Sequence, residues 1–228
     1  MLKIIKVSKK YKTGKSDYIN ALKNISLNIG EGEFVGIMGR SGSGKSTLLN
    51  IIGCLDKPDT GSVLLNNQEI HNKNDKERTI IRNQNIGFIF QEFNLIPIFT
   101  VYENIELPFL ISKNKYYKSR KKKILNLIEK VGLSQYIHHR ANQLSGGQMQ
   151  RVAIARSLVM SPQIVLADEL TANIDTENSN LIMKILKRIN KNRQTTFIIC
   201  THDPLIVKYM DRIIRIEDGE INKINISS

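Results

Sequence analysis

Tryptophan is absent from this sequence, and cysteine is scarce. Cys54 and Cys200 lie among apolar neighbours and lack the spacing of metal ligands, so we expect buried, reduced thiols without a chemical role. No apolar run approaches the ~18 residues that a membrane-spanning helix needs, and the first residues lack the long uncharged stretch of a secretory signal. These absences exclude a cysteine metal cluster and a spanning helix, and they predict a cytoplasmic protein.

Acidic residues are fewer than basic residues in this chain. There are 34 lysines and arginines against 21 aspartates and glutamates, which gives a formal net charge of +13. This excess suits nucleic acid, an anionic membrane surface or phosphorylated ligands. The densest basic stretch, residues 113–123, lacks the interleaved aromatic residues of a single-strand binder beyond Tyr116 and Tyr117. We therefore expect a solvated helix face, with attraction to an anionic cytoplasmic leaflet as the alternative, and no nucleic-acid partner.

A glycine-rich loop stands between a short apolar run, residues 33–39, and a segment with helical apolar spacing, residues 46–52. The loop fits the P-loop pattern in the strand-to-helix context that this pattern requires. Its glycines let backbone N–H groups point at phosphate oxygens, and the helix adds its positive N-terminal end. Lys45 supplies a charge for the β- and γ-phosphates, and the Ser46 hydroxyl suits Mg²⁺. The predicted phosphate-binding residues are Gly39, Ser41, Gly42, Ser43, Gly44, Lys45, Ser46 and Thr47.

Carboxylates and a histidine follow two further apolar runs. Residues 163–169 read as a buried parallel strand with Asp168 and Glu169 at its C-terminal end. Ligands of open α/β sheets gather at such strand ends, so Asp168 is predicted to hold Mg²⁺ and Glu169 to face the γ-phosphate. Residues 195–203 repeat the pattern with His202, which predicts another γ-phosphate contact. A surface turn with two acids and a structural histidine are the alternatives.

A second glycine-rich turn, residues 144–148, precedes an amphipathic segment. The segment, residues 149–158, predicts a helix that Pro162 prevents from running on. Ser145 and the glycine N–H groups therefore lie at a helix N-terminus, which is a second predicted anion site.

Taken in order, these motifs resemble those of ABC transporter ATP-binding subunits, and the resemblance covers nearly the whole chain. Each motif alone is a weak signal, but six in the family's order, together with a matching D-loop aspartate, are a specific one. The matching positions are Tyr11 for the aromatic residue that stacks on adenine, residues 39–47 for Walker A, Gln91 for the Q-loop, residues 144–148 for the signature, residues 164–169 for Walker B, His202 for the switch histidine and Asp175 for the D-loop.

The resemblance implies the α/β fold of a P-loop NTPase. We expect a RecA-like core sheet, an N-terminal antiparallel β subdomain and an inserted α-helical subdomain, within a single domain of residues 1–228. The core and the β subdomain would take about residues 1–91 and 161–228. The helical subdomain would take about residues 92–160.

The resemblance also implies an ATPase that works as a head-to-tail homodimer on binding ATP. Glu169 would polarise the attacking water, His202 would contact the γ-phosphate, and the Gln91 amide would touch Mg²⁺ and the water. Tyr11 would stack on adenine, with Tyr18 or the burial of Tyr11 in the core as rival readings. The nucleotide of the other copy would be contacted by Ser145, Gly146, Gly147 and Gln148, and the D-loop aspartate Asp175 would belong to the same ATP site.

One position departs from the family pattern. Leu170 follows Glu169 where the family usually has proline, and Ala172 replaces a common glycine. Leucine has a backbone N–H and a freer φ than proline. This predicts a less rigidly held catalytic carboxylate and a slower turnover.

The branch of the family is indicated by residues 41–50, 87–97 and 100–108, which resemble the macrolide-export and lipoprotein-release branch. The implied partner is a separately encoded membrane permease, and the implied location is the inner face of the cell membrane. The cargo would be a peptide, an antibiotic or a lipoprotein-like substrate. The apolar residues Phe93, Phe99 and Tyr102 would either receive a permease helix or fill the core.

Two other kinds of ABC ATPase remain as alternatives. One is a cell-division ATPase that signals through a membrane partner, although residues 92–95 favour transport. The other is a nucleic-acid-associated ATPase, which the positive charge favours. Such proteins commonly join two ATPase halves or carry extra arms, and this sequence has neither.

Overall fold

Ten strands and six α-helices make up the part of the chain that the structure describes. This computed structural model describes residues 1–14, 17–112, 117–172 and 174–226, so the start of the basic stretch, residues 113–116, lies outside the described residues. The strands are β1 (Leu2–Lys12), β2 (Tyr18–Ile29), β3 (Phe34–Met38), β4 (Thr60–Leu65), β5 (Gln68–Glu69), β6 (Ile86–Ile89), β7 (Ile164–Asp168), β8 (Thr196–Thr201), β9 (Arg212–Glu217) and β10 (Glu220–Ile226). The helices are α1 (Lys45–Ile52), α2 (Asp75–Asn85), α3 (Val101–Ile111), α4 (Tyr117–Lys130), α5 (Gly146–Leu158) and α6 (Thr176–Arg193).

A six-stranded sheet in the order β10-β9-β3-β8-β7-β6 forms the centre of the fold. The strands from β9 to β6 run parallel, whereas β10 pairs antiparallel with β9. Parallel strands are buried on both faces: Phe197 and Ile199 of β8 face one apolar cluster, and Ile198 and Cys200 face the other. Because they run parallel, β3, β7 and β8 end at the same edge of the sheet.

A second, antiparallel sheet has the order β2-β1-β4-β5. Its inner face packs on α1 and on the central sheet, in a cluster that includes Leu22, Leu48 and Val63. Between β6 and β7 the chain forms α3, α4 and α5. The predicted α/β class, with a RecA-like sheet, an N-terminal antiparallel sheet and an inserted helical region, is confirmed.

Helices of the inserted region begin at residues whose side chains satisfy free backbone N–H groups. Thr100 and Glu103 form a capping box at the start of α3, and Ser145 and Gln148 form one at the start of α5. In α4 the side chains of Lys121 and Lys122 are exposed, whereas Arg120 pairs with Glu106 and Lys123 lies over the Phe109 ring. The solvated basic face stays a prediction.

Both cysteines are free and buried, as expected. Burial raises the pKa of the Cys54 thiol and raises that of the Cys200 thiol well above its usual range, so neither forms a reactive thiolate at neutral pH. Within the described ranges, none of the helices combines the length and the apolar character that crossing a bilayer requires.

Candidate nucleotide-binding site

A cavity of about 590 Å³ opens at the edge of the central sheet where β3, β7 and β8 end. Its volume lies within the range of small-molecule sites. Most residues of its wall are ones that the sequence motifs predicted. The cavity is lined by Ile19, Ala21, Arg40, Ser41, Gly42, Gly44, Lys45, Ser46, Thr47, Gln91, Asp168, Glu169 and His202.

The loop between β3 and α1 has a backbone conformation that depends on glycine. Gly42 and Gly44 have φ values of 78° and 106°, in the left-handed region that disfavours other residues. A Cβ at Gly44 would lie 2.4 Å from the Ala21 carbonyl oxygen. Gly39 and Ser43 are loop residues that do not line the cavity. A Cβ at Gly39 would lie 2.5 Å from the Ser43 hydroxyl oxygen. This packing fixes the directions of the loop N–H groups.

Lys45 is the first residue of α1 and is only 6% exposed. Its ammonium group donates hydrogen bonds to the carbonyl oxygens of Gly39, at 2.8 Å, and Arg40, at 3.0 Å. An ammonium group has three donors, so one of them remains for a phosphate oxygen. The two carbonyl contacts hold the charge against the loop that would cradle the phosphates.

Asp168, the last residue of β7, has a carboxylate oxygen that lacks a protein partner. Its Oδ1 is buried without a hydrogen bond among the residues that the structure describes, which is costly unless a ligand satisfies it. The Ser46 hydroxyl and the Gln91 amide line the same cavity. Mg²⁺ takes oxygen ligands, and in phosphate sites one or two carboxylates hold it together with the phosphates. These three residues therefore fit Mg²⁺.

Glu169 stands at the turn after β7 in a strained backbone conformation. Its φ is 45°, a left-handed value that costs an L-residue about 1–2 kcal/mol. Its N–H donates to the Cys200 carbonyl, and its own carbonyl accepts from the Ala172 N–H, each at 3.0 Å. The carboxylate Oε1 lies 2.9 Å from Nδ1 of His202. Strands β7 and β8 thus bring two predicted catalytic side chains into direct contact.

Leu170, the next residue, is held by packing and by a hydrogen bond. Its side chain is 2% exposed and belongs to the apolar cluster that includes residues of α5 and α6. Its carbonyl accepts a hydrogen bond of 2.8 Å from the buried Gln150 amide. The sequence pattern predicted a looser turn at this position. These two restraints act on Leu170 from outside the turn, and the predicted looser carboxylate and slower turnover stay a prediction.

Tyr11 lies beside the cavity rather than on its wall. Tyr11 is 38% exposed, so its side chain does not fill the core. Its cross-strand partner Ile19 lines the cavity. The Tyr11 hydroxyl donates to Asp56 at 2.7 Å, and the Lys9 ammonium lies 5.2 Å from the ring centroid. Burial and the hydrogen bond to Asp56 raise the pKa of Tyr11 to about 12. The rival residue Tyr18 is 54% exposed.

The signature turn and the D-loop aspartate lie away from this cavity. The Ser145 hydroxyl accepts from the Gln148 N–H at 3.4 Å, and the Gln148 side-chain oxygen accepts from the Ser145 N–H at 2.8 Å. Asp175 caps α6 by accepting from the Asn178 N–H at 2.9 Å, and hydrogen bonds from Asn178 lower the pKa of its carboxyl. A Cβ at Gly147 would lie 2.8 Å from the Asn178 side chain, so the signature turn packs on the start of α6.

Three residues of the wall were not among the predicted site residues: Ile19 and Ala21, which lie outside the motifs, and Arg40, which lies within the P-loop motif. Ile19 is a 60% exposed apolar side chain at the cavity. Its place depends on the register of β1 and β2, in which Tyr11 pairs with Ile19. A local sequence pattern does not specify the register between two strands.

A family model described as ABC transporter matches residues 22–172, which include the P-loop, Gln91, the signature turn and both Walker B carboxylates. The chain belongs to the ABC transporter family. It is an ATP-binding cassette and, as a member of this family, an ATPase.

Individual relatives place the cassette in one branch of the family. The uncharacterized ABC transporter ATP-binding protein MJ0796 of Methanocaldococcus jannaschii is 49% identical over 227 residues, covering 98% of this chain and 96% of that protein. The lipoprotein-releasing system ATP-binding protein LolD of Saccharophagus degradans is 44% identical over 98% of this chain and 97% of that protein. The macrolide export ATP-binding/permease protein MacB of Bdellovibrio bacteriovorus is 44% identical over 97% of this chain, which spans 33% of that longer protein. The predicted branch is confirmed.

Solved structures agree with the sequence relatives. The dimeric structure of MJ0796 superposes with a TM-score of 0.91 at 47% identity and covers 99% of this chain and 98% of that one. A second dimeric MJ0796 structure, with the same TM-score and identity, is of a post-hydrolysis state bound to ADP and Pi. Nucleotide binding, which the motifs predicted, is thereby confirmed for the cassette.

We expect Gly44→Ala to abolish nucleotide binding, because its Cβ would meet the Ala21 carbonyl in addition to requiring a left-handed φ. Gly42→Ala is the matched control, since Gly42 also has a left-handed φ but no atom lies within 4 Å of its Cβ position. Titration with a fluorescent ATP analogue should show a loss of over about 100-fold for the first variant and about 5- to 30-fold for the second, the latter corresponding to about 1–2 kcal/mol. Equal losses would contradict the packing argument.

Proposed function

We propose that this cassette hydrolyses ATP at a site shared by two copies of the chain and thereby drives a separately encoded membrane permease. The proposal rests on the positions of the motifs, because some line the nucleotide cavity and the signature turn does not. Lys45, Asp168 and Glu169 line one cavity, whereas the signature turn lies outside it at the N-terminus of α5. In a head-to-tail homodimer the signature turn of each copy completes the cavity of the other. The dimeric structures of MJ0796 support this arrangement.

Glu169 takes a proton from the water that attacks the γ-phosphate. His202 hydrogen-bonds to one carboxylate oxygen, Oε1, so the other oxygen is left to accept from the water. Lys45 and the P-loop N–H groups stabilise the charge that spreads over the γ-phosphoryl group. When held by Ser46, Gln91 and Asp168, Mg²⁺ supplies further neutralisation of the β- and γ-phosphate oxygens.

The signature turn binds the γ-phosphate of the other copy. Its capping box leaves the hydroxyl proton of Ser145 free to donate, because the Ser145 oxygen accepts the Gln148 N–H. The N–H groups of Gly146 and Gly147 open α5, where the helix dipole favours an anion. These are three donors at one helix N-terminus, where the helix dipole adds to them. They suit a phosphate group.

Adenine stacks on the ring of Tyr11. Lys9 lies over one face of this ring, and the base takes the other face. The hydroxyl bond to Asp56 fixes the ring plane. Ile19 lies beside Tyr11 in the β1–β2 pairing and adds an apolar contact at the same edge of the cavity.

The permease docks in a groove between the central sheet and the inserted helices. The groove has a volume of about 390 Å³ and a mainly apolar wall that includes Leu55, Phe88, Phe90, Pro108, Ile111 and Met160. Arg156 of α5 donates to the carbonyl oxygens of Phe93 and Asn94, so the segment after Gln91 joins the groove to the nucleotide cavity. Tyr102 packs on the core instead, which favours core filling for that residue.

The cargo is a lipoprotein-like substrate, a peptide or an antibiotic. The names of the relatives LolD and MacB, a lipoprotein-releasing and a macrolide export protein, support these classes. We expect a neighbouring gene to encode a permease with few membrane spans and a large external domain. Absence of such a gene would count against this branch of the proposal.

We expect Glu169→Gln to slow ATP hydrolysis by about 10²–10⁴-fold, because the water loses its general base. With the water unreacted, ATP should hold two copies together as a stable dimer. Steady-state phosphate release and size-exclusion chromatography in ATP test both points. Glu129→Gln, an exposed carboxylate on α4, is the control. Normal hydrolysis, or a monomer at saturating ATP, would contradict the assignment of Glu169.

We expect Tyr11→Ala to weaken ATP binding by about 1–3 kcal/mol, the contribution of a base stacked on an aromatic ring. Tyr11→Phe should bind nearly as tightly, since it keeps the ring and loses only the bond to Asp56. Tyr18→Ala should leave the affinity unchanged. Isothermal titration of the three variants decides between the tyrosines, and a larger loss for Tyr18→Ala would reverse the assignment.

A further inference from the structure

Gln150 is a polar side chain of α5 that is fully buried. It is 0% exposed, and its neighbours along the helix, Val152, Ala153 and Ile154, are also 0% exposed. Its Nε2 donates to the Leu170 carbonyl at 2.8 Å. Its Oε1 is buried and has no hydrogen-bond partner in the part of the chain that the structure describes. A core position that keeps a half-satisfied amide needs an explanation beyond packing.

The bond of Gln150 acts on the turn that carries Glu169. Two hydrogen bonds of this turn come from β8 and from the turn itself, namely Glu169 N–H to the Cys200 carbonyl and Ala172 N–H to the Glu169 carbonyl. The bond from Gln150 reaches the turn from a different element, α5. It fixes the peptide group that joins Leu170 to Thr171, one residue further along the turn than Glu169. The φ of Glu169, 45°, lies in a sparsely populated region that its surroundings must maintain.

We propose that Gln150 is a positioning residue for ATP hydrolysis: its amide, by holding the Leu170 carbonyl, sets the direction of the Glu169 carboxylate. A displacement of about 1 Å at a catalytic group lowers the rate by about 10²-fold. In this chain leucine stands where proline would restrict the turn directly, so the external bond supplies the restraint. The proposal rests on the assignment of Glu169 as the general base.

The same bond joins two parts of the site within one chain. Gln150 lies five residues after Ser145 on the same rigid helix, a rise of about 7.5 Å. A shift of the signature turn, as a phosphate of the other copy binds there, therefore moves the donor that holds the Leu170 carbonyl. Through Gln150, the signature turn of each copy is connected by one helix and one hydrogen bond to the catalytic turn of the same copy.

The first variant removes the N–H donor of the Gln150 side chain and replaces it with a side chain of similar size. In the full chain, Gln150→Met should lower kcat about 10- to 100-fold while the dissociation constant for ATP stays within twofold, because the P-loop and Asp168 are unchanged. Ser157→Ala is the matched control: its hydroxyl is also in α5 and, among the described residues, bonds only to the Ile154 carbonyl of that helix. Both variants should leave the far-ultraviolet circular dichroism spectrum unchanged. A folded Gln150→Met protein with kcat within twofold of the unaltered chain overturns the proposal.

Gln150→Glu tests the donor without a change of shape and keeps the proposal falsifiable should Gln150→Met fold poorly. A neutral carboxylic acid can donate to the Leu170 carbonyl, whereas a carboxylate cannot, and burial favours the neutral form. The kcat of this variant, divided by that of the unaltered chain at each pH, should be near one at low pH and should fall about 10-fold or more as pH rises. A ratio that does not change with pH overturns the proposal.

The two assignments fail in distinguishable ways. If Glu169→Gln hydrolyses ATP normally, the general-base assignment is wrong. If Glu169→Gln is inactive and both Gln150 variants keep the full rate at every pH, the base is correct and only the positioning role of Gln150 is wrong.

Discussion

Parallel pairing of β3, β8, β7 and β6 is the constraint on which the site depends. Side chains from four distant parts of the chain meet in one cavity because these strands all end at one edge of the sheet. Their registers are fixed by apolar side chains that alternate between two clusters, one on each face. A one-residue slip of β7 against β8 would turn Asp168 away from the cavity and place charge in the core. Packing on the faces of the sheet thus sets the geometry of the chemistry at its edge.

Strained backbone at this edge of the sheet is held in place by the surrounding residues. The P-loop needs left-handed backbone at two glycines, and Glu169 adopts it without being glycine. Such conformations persist only where the surroundings over-determine them. For Glu169 the surroundings are the Cys200 carbonyl, the buried Leu170 side chain and the Gln150 amide. An open cavity that contains charged side chains is therefore backed by a buried apolar layer, which keeps its carboxylates in place while water and nucleotide exchange.

The sequence was most informative where function depends on contiguous residues. The P-loop, the strand ending in Asp168 and Glu169, and the N-terminus of α5 were all predictable, because each is a local pattern of glycine, charge and apolar spacing. The contact of Glu169 with His202, the place of Ile19 beside Tyr11 and the anchoring of Leu170 by Gln150 were not. These depend on strand register and on helix packing between residues 8 to 33 positions apart, and no local pattern encodes them. The basic stretch shows the same limit, since charge alone did not distinguish a solvated helix from a binding surface.

The central claim is that the signature turn of one copy completes the phosphate site of the other. Mixing two inactive variants, Lys45→Ala and Ser145→Arg, tests it most directly. A head-to-tail dimer of the two contains one cavity with an intact P-loop from one copy and an intact signature from the other, so the mixture should hydrolyse ATP although neither variant does so alone. If the signature served the cavity of its own chain, every cavity in the mixture would carry a defect. Failure of the mixture to recover any hydrolysis would contradict the account.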